Sequence, residues 1–242
     1  MYIYKRTIKS NQMIEIEYYK SFRRVGKNYG GRSRNKSKSP QKQKIANKLR
    51  AIKAAQRIIN CNWGIGDWWC RFSAQYGTFE TEQDFRRCVS NWFVRIKRRC
   101  KKQGIDFKYY GFIECGKSGK NWHIHIILSD KIRRIAQECW RYKNGMDFRP
   151  LYEQGNFEAL ATYIQKDSNG EKRMMSSRNL KRPEVEVREA GKREIRKLER
   201  GETIKIPKGY YISKDDDNYN YNDLTGASWY FKLLPLEYRR YE

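Results

Sequence analysis

Histidine is nearly absent from this 242-residue chain, with two in all, and its six cysteines, at 61, 70, 88, 100, 115 and 139, include no CxxC pair. Without that spacing a structural zinc site has no support, and the cysteines read as reduced thiols, some of them core residues. No apolar run approaches the ~20 residues that a membrane-spanning helix requires, so no membrane partner is expected. The first residues, MYIYKRTIKS, hold no apolar signal-peptide core, and a cytoplasmic location is expected. Acidic residues are scarce as well, with 27 Asp and Glu against 53 Lys and Arg, a formal net charge of +26. What the chain does have is aromatic bulk. Its 7 Trp, 18 Tyr and 10 Phe can fill a core, which excludes disorder throughout. A basic, aromatic-rich chain of mean hydropathy −1.00 points to a polyanionic partner, with nucleic acid first.

The charge is unevenly placed. Residues 1–60 carry 17 Lys or Arg and 2 acidic residues, which is +15 of the total. This region opens with alternating YIYKRTI and MIEIEYY runs around Ser10-Asn11, the pattern of a β-hairpin. A Ser/Arg/Lys-rich stretch, RSRNKSKSPQKQK, follows without apolar periodicity, and Ile45, Leu49, Ile52 and Ile58 then permit a basic helix over 41–59. The texture changes at about Trp63 to that of a folded core. WWCRFSA (68–74) reads as a strand. Thr81 and Asp84 cap a helix running to about Lys102, whose apolar stripe is Phe85, Val89, Trp92, Phe93, Ile96 and Cys100. KYYGFIEC (108–115) and NWHIHIIL (121–128) form a hairpin through GKSGK. Next come a helix bearing Ile132, Ile135, Cys139 and Trp140, an edge strand MDFRPLY marked by Pro150, and a helix over 156–167. The order predicts an α+β fold with helices packed on an antiparallel sheet. Three regions are expected: a basic N-terminal hairpin and arm (1–60), a catalytic core (61–170), and a C-terminal extension (171–242) that packs on or extends the core.

Both histidines lie on one predicted strand, as His123-Ile124-His125. Residues i and i+2 of a strand share a face with Cα atoms ~6.6 Å apart, so the two imidazoles can grip one ion while Trp122, Ile124, Ile126 and Leu128 face the core. Two imidazoles need a third ligand. Glu114 comes opposite His123 across the hairpin, and two nitrogens plus one carboxylate suit a catalytic divalent cation with open positions better than a closed structural site. Downstream, Tyr163-x-x-Lys166 presents a phenol and an ammonium on one helical face. Together these groups supply phosphoryl transfer: a cation to polarise a phosphate, a phenol to attack it, and Lys166 to offset developing charge. Gly111–Ser118 also satisfies G-x-x-x-x-G-K-[ST]. A phosphate loop must leave a strand and enter a helix, whereas strand resumes here within a few residues, so no nucleotide cofactor is expected.

These motifs resemble those of HUH endonucleases, the rolling-circle replication initiators. Asp67–Ala74 corresponds to the first motif strand, Trp122–Leu128 to the His-hydrophobic-His motif, and Ala161–Lys166 to the tyrosine motif. SSRNLKRP (176–183) is similar to a segment that follows the tyrosine helix in replication proteins of small bacterial phages and plasmids. A single tyrosine on the helix marks the one-tyrosine type. The resemblance implies an HUH-type central antiparallel sheet and a Mg²⁺- or Mn²⁺-dependent nickase and ligase of single-stranded origin DNA in a bacterial host. Tyr163 would hold the 5′-phosphate covalently and release a 3′-hydroxyl, with a host helicase and polymerase as partners. In one-tyrosine transposases the third metal ligand lies one turn after the tyrosine, the place of Asp167 here, while hairpin geometry favours Glu114. A one-tyrosine transposase or relaxase shares the chemistry, and a non-enzymatic nucleic-acid-binding module is the remaining alternative.

Overall fold

The computed structural model describes residues 1–26, 41–116, 119–143, 145–151, 156–165, 173–213, 219–222 and 226–241. Most of the RSRNKSKSPQKQK stretch lies outside the described residues. The elements are β1 (Tyr2–Ser10), β2 (Met13–Ser21), α1 (Gln41–Asn62), β3 (Trp68–Ser73), α2 (Glu82–Lys102), β4 (Tyr110–Cys115), β5 (Trp122–Leu128), α3 (Asp130–Cys139), β6 (Met146–Pro150), α4 (Glu158–Gln165), β7 (Arg173–Ser176), β8 (Glu184–Glu189), α5 (Lys192–Glu199), β9 (Tyr210–Ile212), β10 (Tyr219–Asn222) and β11 (Gly226–Pro235). The fold is α+β, with antiparallel sheets and flanking helices. Two compact units divide it: residues 51–153 with 158–181, and residues 1–50 with 154–157 and 182–242.

In the first of these units the strand order is β6-β3-β5-β4-β7, antiparallel throughout. Period-two alternation splits the sheet into two chemically different faces. Cys70, Phe72, Ile113, Ile124, Ile126 and Leu128 point to one side. There they join Phe85, Val89, Trp92, Ile96 and Cys100 of α2 and Ile132, Ile135 and Ala136 of α3 in a single buried cluster. The Thr81 hydroxyl accepts the Asp84 N–H at 3.2 Å and starts α2 where the sequence places it. Two indoles fasten the layers: Trp92 Nε1 donates to the Ala136 carbonyl at 2.9 Å and Trp140 Nε1 to that of Ser73 at 3.0 Å. Pro150 does lie on an edge strand, since β6 pairs only with β3. Glycine is obligatory at position 111 of β4, because a Cβ there would lie 2.0 Å from the His125 carbonyl oxygen. Gly111–Cys115 is strand and Trp122–Leu128 is strand again, so the G-x-x-x-x-G-K-[ST] run does not lead from a strand into a helix.

α1 differs in part from its sequence pattern. Ile45 and Leu49 are 53% and 56% exposed, and burial begins only at Ala55, Ile58 and Ile59. An i, i+4 spacing lets a helix present an apolar stripe but does not supply the surface that would cover it.

In the other unit the order is β10-β11-β2-β1-β8, with β9 also on β11. Asn11, at φ +57°, turns β1 into β2 with Ser10 opposite Met13. The N-terminal hairpin pairs through β1 with β8 and through β2 with β11, so the first and last segments of the chain share a sheet. Ile16, Tyr18, Trp229, Phe231 and Leu233 pack there with Ile195 and Leu198 of α5. Glu194 ties α5 to the strands. Arg188 grips its carboxylate with both Nη atoms at 2.7 and 3.0 Å, the Gly191 N–H donates at 3.1 Å, and Lys5 Nζ lies 3.4 Å away. The Arg188 hydrogen bonds above all, helped by the Gly191 amide and Lys5, hold the Glu194 carboxyl down at about 2.

The folded-state value of Glu194 is depressed, so its contribution is complete above the ordinary glutamate range and is lost as pH falls from about 4.5 towards 2. Glu194→Gln should cost on the order of 1 kcal/mol at pH 7, the scale of a partly exposed ion-pair network. Urea unfolding of both proteins should show that gap closing as the pH is lowered to 3 and below. A gap independent of pH would mean that Glu194 acts through packing alone.

Candidate active site

The face of the β6-β3-β5-β4-β7 sheet opposite the helical core carries the polar and aromatic side chains. The β4–β5 register sets Glu114 across from His123 and Phe112 across from His125, while β3 sets Arg71 across from His125. Glu114, His123 and His125 offer ligand atoms that all lie within 4.8 Å of one another. Both histidines are 8% exposed. His123 Nδ1 is 2.9 Å from the Asn121 carbonyl oxygen. A carbonyl can only accept, so Nδ1 carries the proton and Nε2 keeps its lone pair; the tautomer is assigned from this bond. That Nε2 lies 3.8 Å from Glu114 Oε2, too far for a hydrogen bond but suited to two ligands sharing a cation at ~2.1 Å from each.

Burial pushes the His123 pKa down. The Arg71 charge adds to that effect, while the Asn121 carbonyl and Glu114 oppose it. The ring is therefore neutral at physiological pH, as a metal ligand must be. His125 is held by aromatic contact: the Trp69 ring stacks on it at 5.3 Å and 8°, and Phe112 leans against it at 5.2 Å. Two oriented imidazoles and one carboxylate on a face that remains partly open fit a divalent cation with free coordination positions.

α4 presents Tyr163 to this cluster. Its ring lies 6.0 Å from His125, 6.1 Å from Trp69 and 6.2 Å from Phe112, yet the residue is 44% exposed. Ala161 and Ile164 anchor the buried side of the helix, so the phenol is held by its ring with one edge in solvent. Partial burial raises its pKa, Glu114 raises it further, and the charges of Arg149 and Arg71 pull it down. Lys166 and Asp167 lie outside the described residues, as does Tyr152. Of the other rival tyrosines, Tyr109 packs on Phe93 and Phe107 at 4.5 and 5.0 Å within the helical core cluster. Tyr110 is hydrogen-bonded to Gln165.

Arg71, Arg149 and Trp69 belong to the site and were not singled out from the sequence as site residues. The signal for them was period two. Arg71 is opposite His125 in register, and Arg149 is opposite Trp69 on the neighbouring strand, so alternation carried outward from the histidines finds all three.

Calorimetric titration with Mn²⁺ tests the cluster directly. His123→Ala and Glu114→Ala should each weaken binding at least about tenfold, since disturbing even a supporting residue of a metal site costs that much. Because the ligand is a neutral imidazole of lowered pKa, affinity should stay level from pH 8 to about 6.5 and fall below that as protons compete. An isotherm that ignores both substitutions would remove the cluster from consideration as a metal centre.

Residues 76–168 match a family model for the replication-associated protein ORF2 group. No curated protein and no solved structure matches the chain. The matched span contains Glu114, His123, His125 and Tyr163, and it supports a role for the chain in the initiation of DNA replication.

Proposed function

We propose that this chain initiates rolling-circle replication as a sequence-specific, metal-dependent nickase and ligase of single-stranded DNA, of the one-tyrosine HUH type, with Tyr163 as nucleophile. The observation that carries the reading is the approach of a half-exposed phenol to a cluster of two imidazoles and one carboxylate, its ring 6.0 Å from that of His125. The match of residues 76–168 to a replication-associated family supports the biological setting. A Mg²⁺ or Mn²⁺ ion held by Glu114, His123 and His125 would supply Lewis-acid polarisation of the scissile phosphate.

The protein's own groups account for the remainder. The Tyr163 oxygen bonds to phosphorus, the bond to the 3′ oxygen breaks, and the phenol proton reaches the departing oxygen through solvent. The products are a 3′-hydroxyl that can prime synthesis and a 5′-phosphate esterified to Tyr163. Reversal reseals the strand without ATP, because the phosphotyrosine bond retains the phosphodiester's energy. The phenol, whose pKa is already raised by burial and by Glu114, needs help to lose its proton. Arg71 and Arg149 oppose that rise and stand ready to stabilise the phenolate. Glu114 ceases to oppose ionisation once its charge is taken up as a ligand. Lys166, one turn beyond Tyr163 in the sequence, is assigned the neutralisation of charge on the phosphate in the transition state. Trp69 and Phe112 offer rings against which splayed bases can stack.

Tyr163→Phe removes one oxygen and keeps the ring contacts with Trp69, Phe112 and His125. Folding and Mn²⁺ binding should survive while the covalent adduct with single-stranded DNA from the protein's own replicon disappears. Lys166→Ala should slow cleavage about 10- to 1000-fold, the usual range for losing one charge-stabilising group. Peptide mapping of the wild-type adduct decides the assignment: a 5′-phosphate on a tyrosine other than Tyr163 would overturn it.

A further inference from the structure

α2 covers the sheet on the side away from the histidines, and its outward face is strongly basic. Arg87, Asn91, Arg95, Arg98 and Lys102 follow one another at spacings of four, four, three and four residues, which places them on one stripe ~22 Å long at ~1.5 Å per residue. The segment after α3 adds Arg141 and Lys143 across a groove that Arg95 and Arg141 line along its whole length. Seven Arg and Lys side chains thus converge from two elements against two carboxylates, Asp84 and Glu138. Glu138 is already paired with Arg99, and Asp84 accepts from the Thr81 hydroxyl at 2.6 Å. Arg87, Arg98, Lys102 and Arg141 have no ion pair among the described residues. Arg86 by contrast is paired with Glu82, and Arg133 and Arg134 are paired with Asp130.

Stabilisation of the α2 macrodipole accounts for cations in its last turn only. Arg87 and Arg95 lie well before that turn, and Arg141 and Lys143 come from another element. Gathering like charges across a groove costs folding free energy, and a polyanion seated there would recover it. The chemistry of the groove also limits which polyanion. Trp140 is 1% exposed, and the Tyr142 ring is packed against Phe79 and Trp140, so no aromatic face is offered to an unpaired base. This contrasts with the Tyr163 side of the same sheet. A stripe of ~22 Å is long enough to reach phosphates on both sides of a ~12 Å major groove.

We infer that the outward face of α2, together with Arg141 and Lys143, is a binding surface for the phosphate backbone of duplex DNA, separate from the face where a single strand would be cut. The inference goes beyond the proposed nicking function and does not depend on Tyr163. It is tested by fluorescence anisotropy of the full chain with a labelled duplex of about 20 base pairs, two helical turns, and with one of its strands alone, from ~50 to ~200 mM salt. The variant Arg87→Gln/Arg98→Gln/Lys102→Gln alters exposed side chains only and should melt at the wild-type temperature. Its duplex affinity at low salt should fall more than about tenfold, and its log–log salt slope should shrink by about 2–3, at ~0.9 per phosphate contact. Binding of the single strand should change by less than about twofold, and Arg87→Lys/Arg98→Lys/Lys102→Arg should restore the duplex slope. An unchanged duplex slope would overturn the inference. So would equal loss of single-strand and duplex binding, the result expected of a general polyanion or RNA surface. Adduct formation on single-stranded DNA is read in parallel: an active variant with an unchanged duplex slope sinks this inference alone, and a wild type without adduct that keeps its duplex slope sinks the nickase reading alone.

Discussion

The antiparallel register between β4 and β5 is the constraint from which the site follows. Glu114 opposite His123 and Phe112 opposite His125 are consequences of where the hairpin turns. A slip of one residue would invert every side chain on β5, moving the histidines into the packed helical layer and Ile124 and Ile126 into solvent. The buried cluster of Phe72, Trp92, Ile124 and Ile126 therefore protects the chemistry without touching it, since any register that exposes the imidazoles to one another must bury the isoleucines. Gly111 adds a steric lock. Its bare Cα lets β4 approach the His125 carbonyl, where a Cβ would stand 2.0 Å from that oxygen, and the partner strand is held close at the residue that carries a ligand.

Burial that organises the cluster also sets its protonation. His123 is drawn towards its neutral form by the same enclosure that fixes its rotamer, and a neutral ring with its proton committed to Asn121 has one direction in which to offer a lone pair. The same physics works against Tyr163, whose phenol becomes harder to ionise as it is covered. The fold meets this conflict by leaving the phenol half exposed and by setting Arg71 and Arg149 near it. It also couples the nucleophile to the ligand set: Glu114 raises the phenol's pKa, and neutralising Glu114 removes that penalty.

Much of the site was legible because its signals are local. The histidine pair, its partner across a five-residue connection and a helix with one tyrosine are all short-range patterns, and period two with period 3.6 converts them into faces. The cap at Thr81, the edge position of Pro150 and the apolar stripe of α2 follow from the same kind of reading. What escaped has a common cause. Arg71 and Arg149 join the site through pairings of β3 with β5 and β6, whose partners are distant in sequence. The pairing of β1 with β8 and of β2 with β11 is likewise a choice among many strands with similar alternation, and no local pattern selects it. The exposed Ile45 and Leu49 of α1 mark the opposite failure, a periodicity with nothing in the described structure to cover it.

The two faces of the β6-β3-β5-β4-β7 sheet divide the chain's unusual composition between them. Aromatic rings gather where unpaired bases and a reacting phosphate could be held: Trp69, Phe112 and Tyr163 around the imidazoles. Cations without acidic partners gather on the far side of the helical layer, where no ring is accessible. A net charge of +26 is a standing source of self-repulsion, and a random scatter of lysine and arginine over the surface would dilute it. The chain instead concentrates part of it along one stripe of α2 and the facing turn, the arrangement in which repulsion is largest when the groove is empty and attraction is largest when a phosphate backbone fills it. Aromatic stacking distinguishes single strands from duplex by the bases it can reach, and charge alone does not. Separating the two chemistries onto opposite faces of one sheet lets the same small fold respond to both forms of a nucleic acid, without either surface having to compromise for the other.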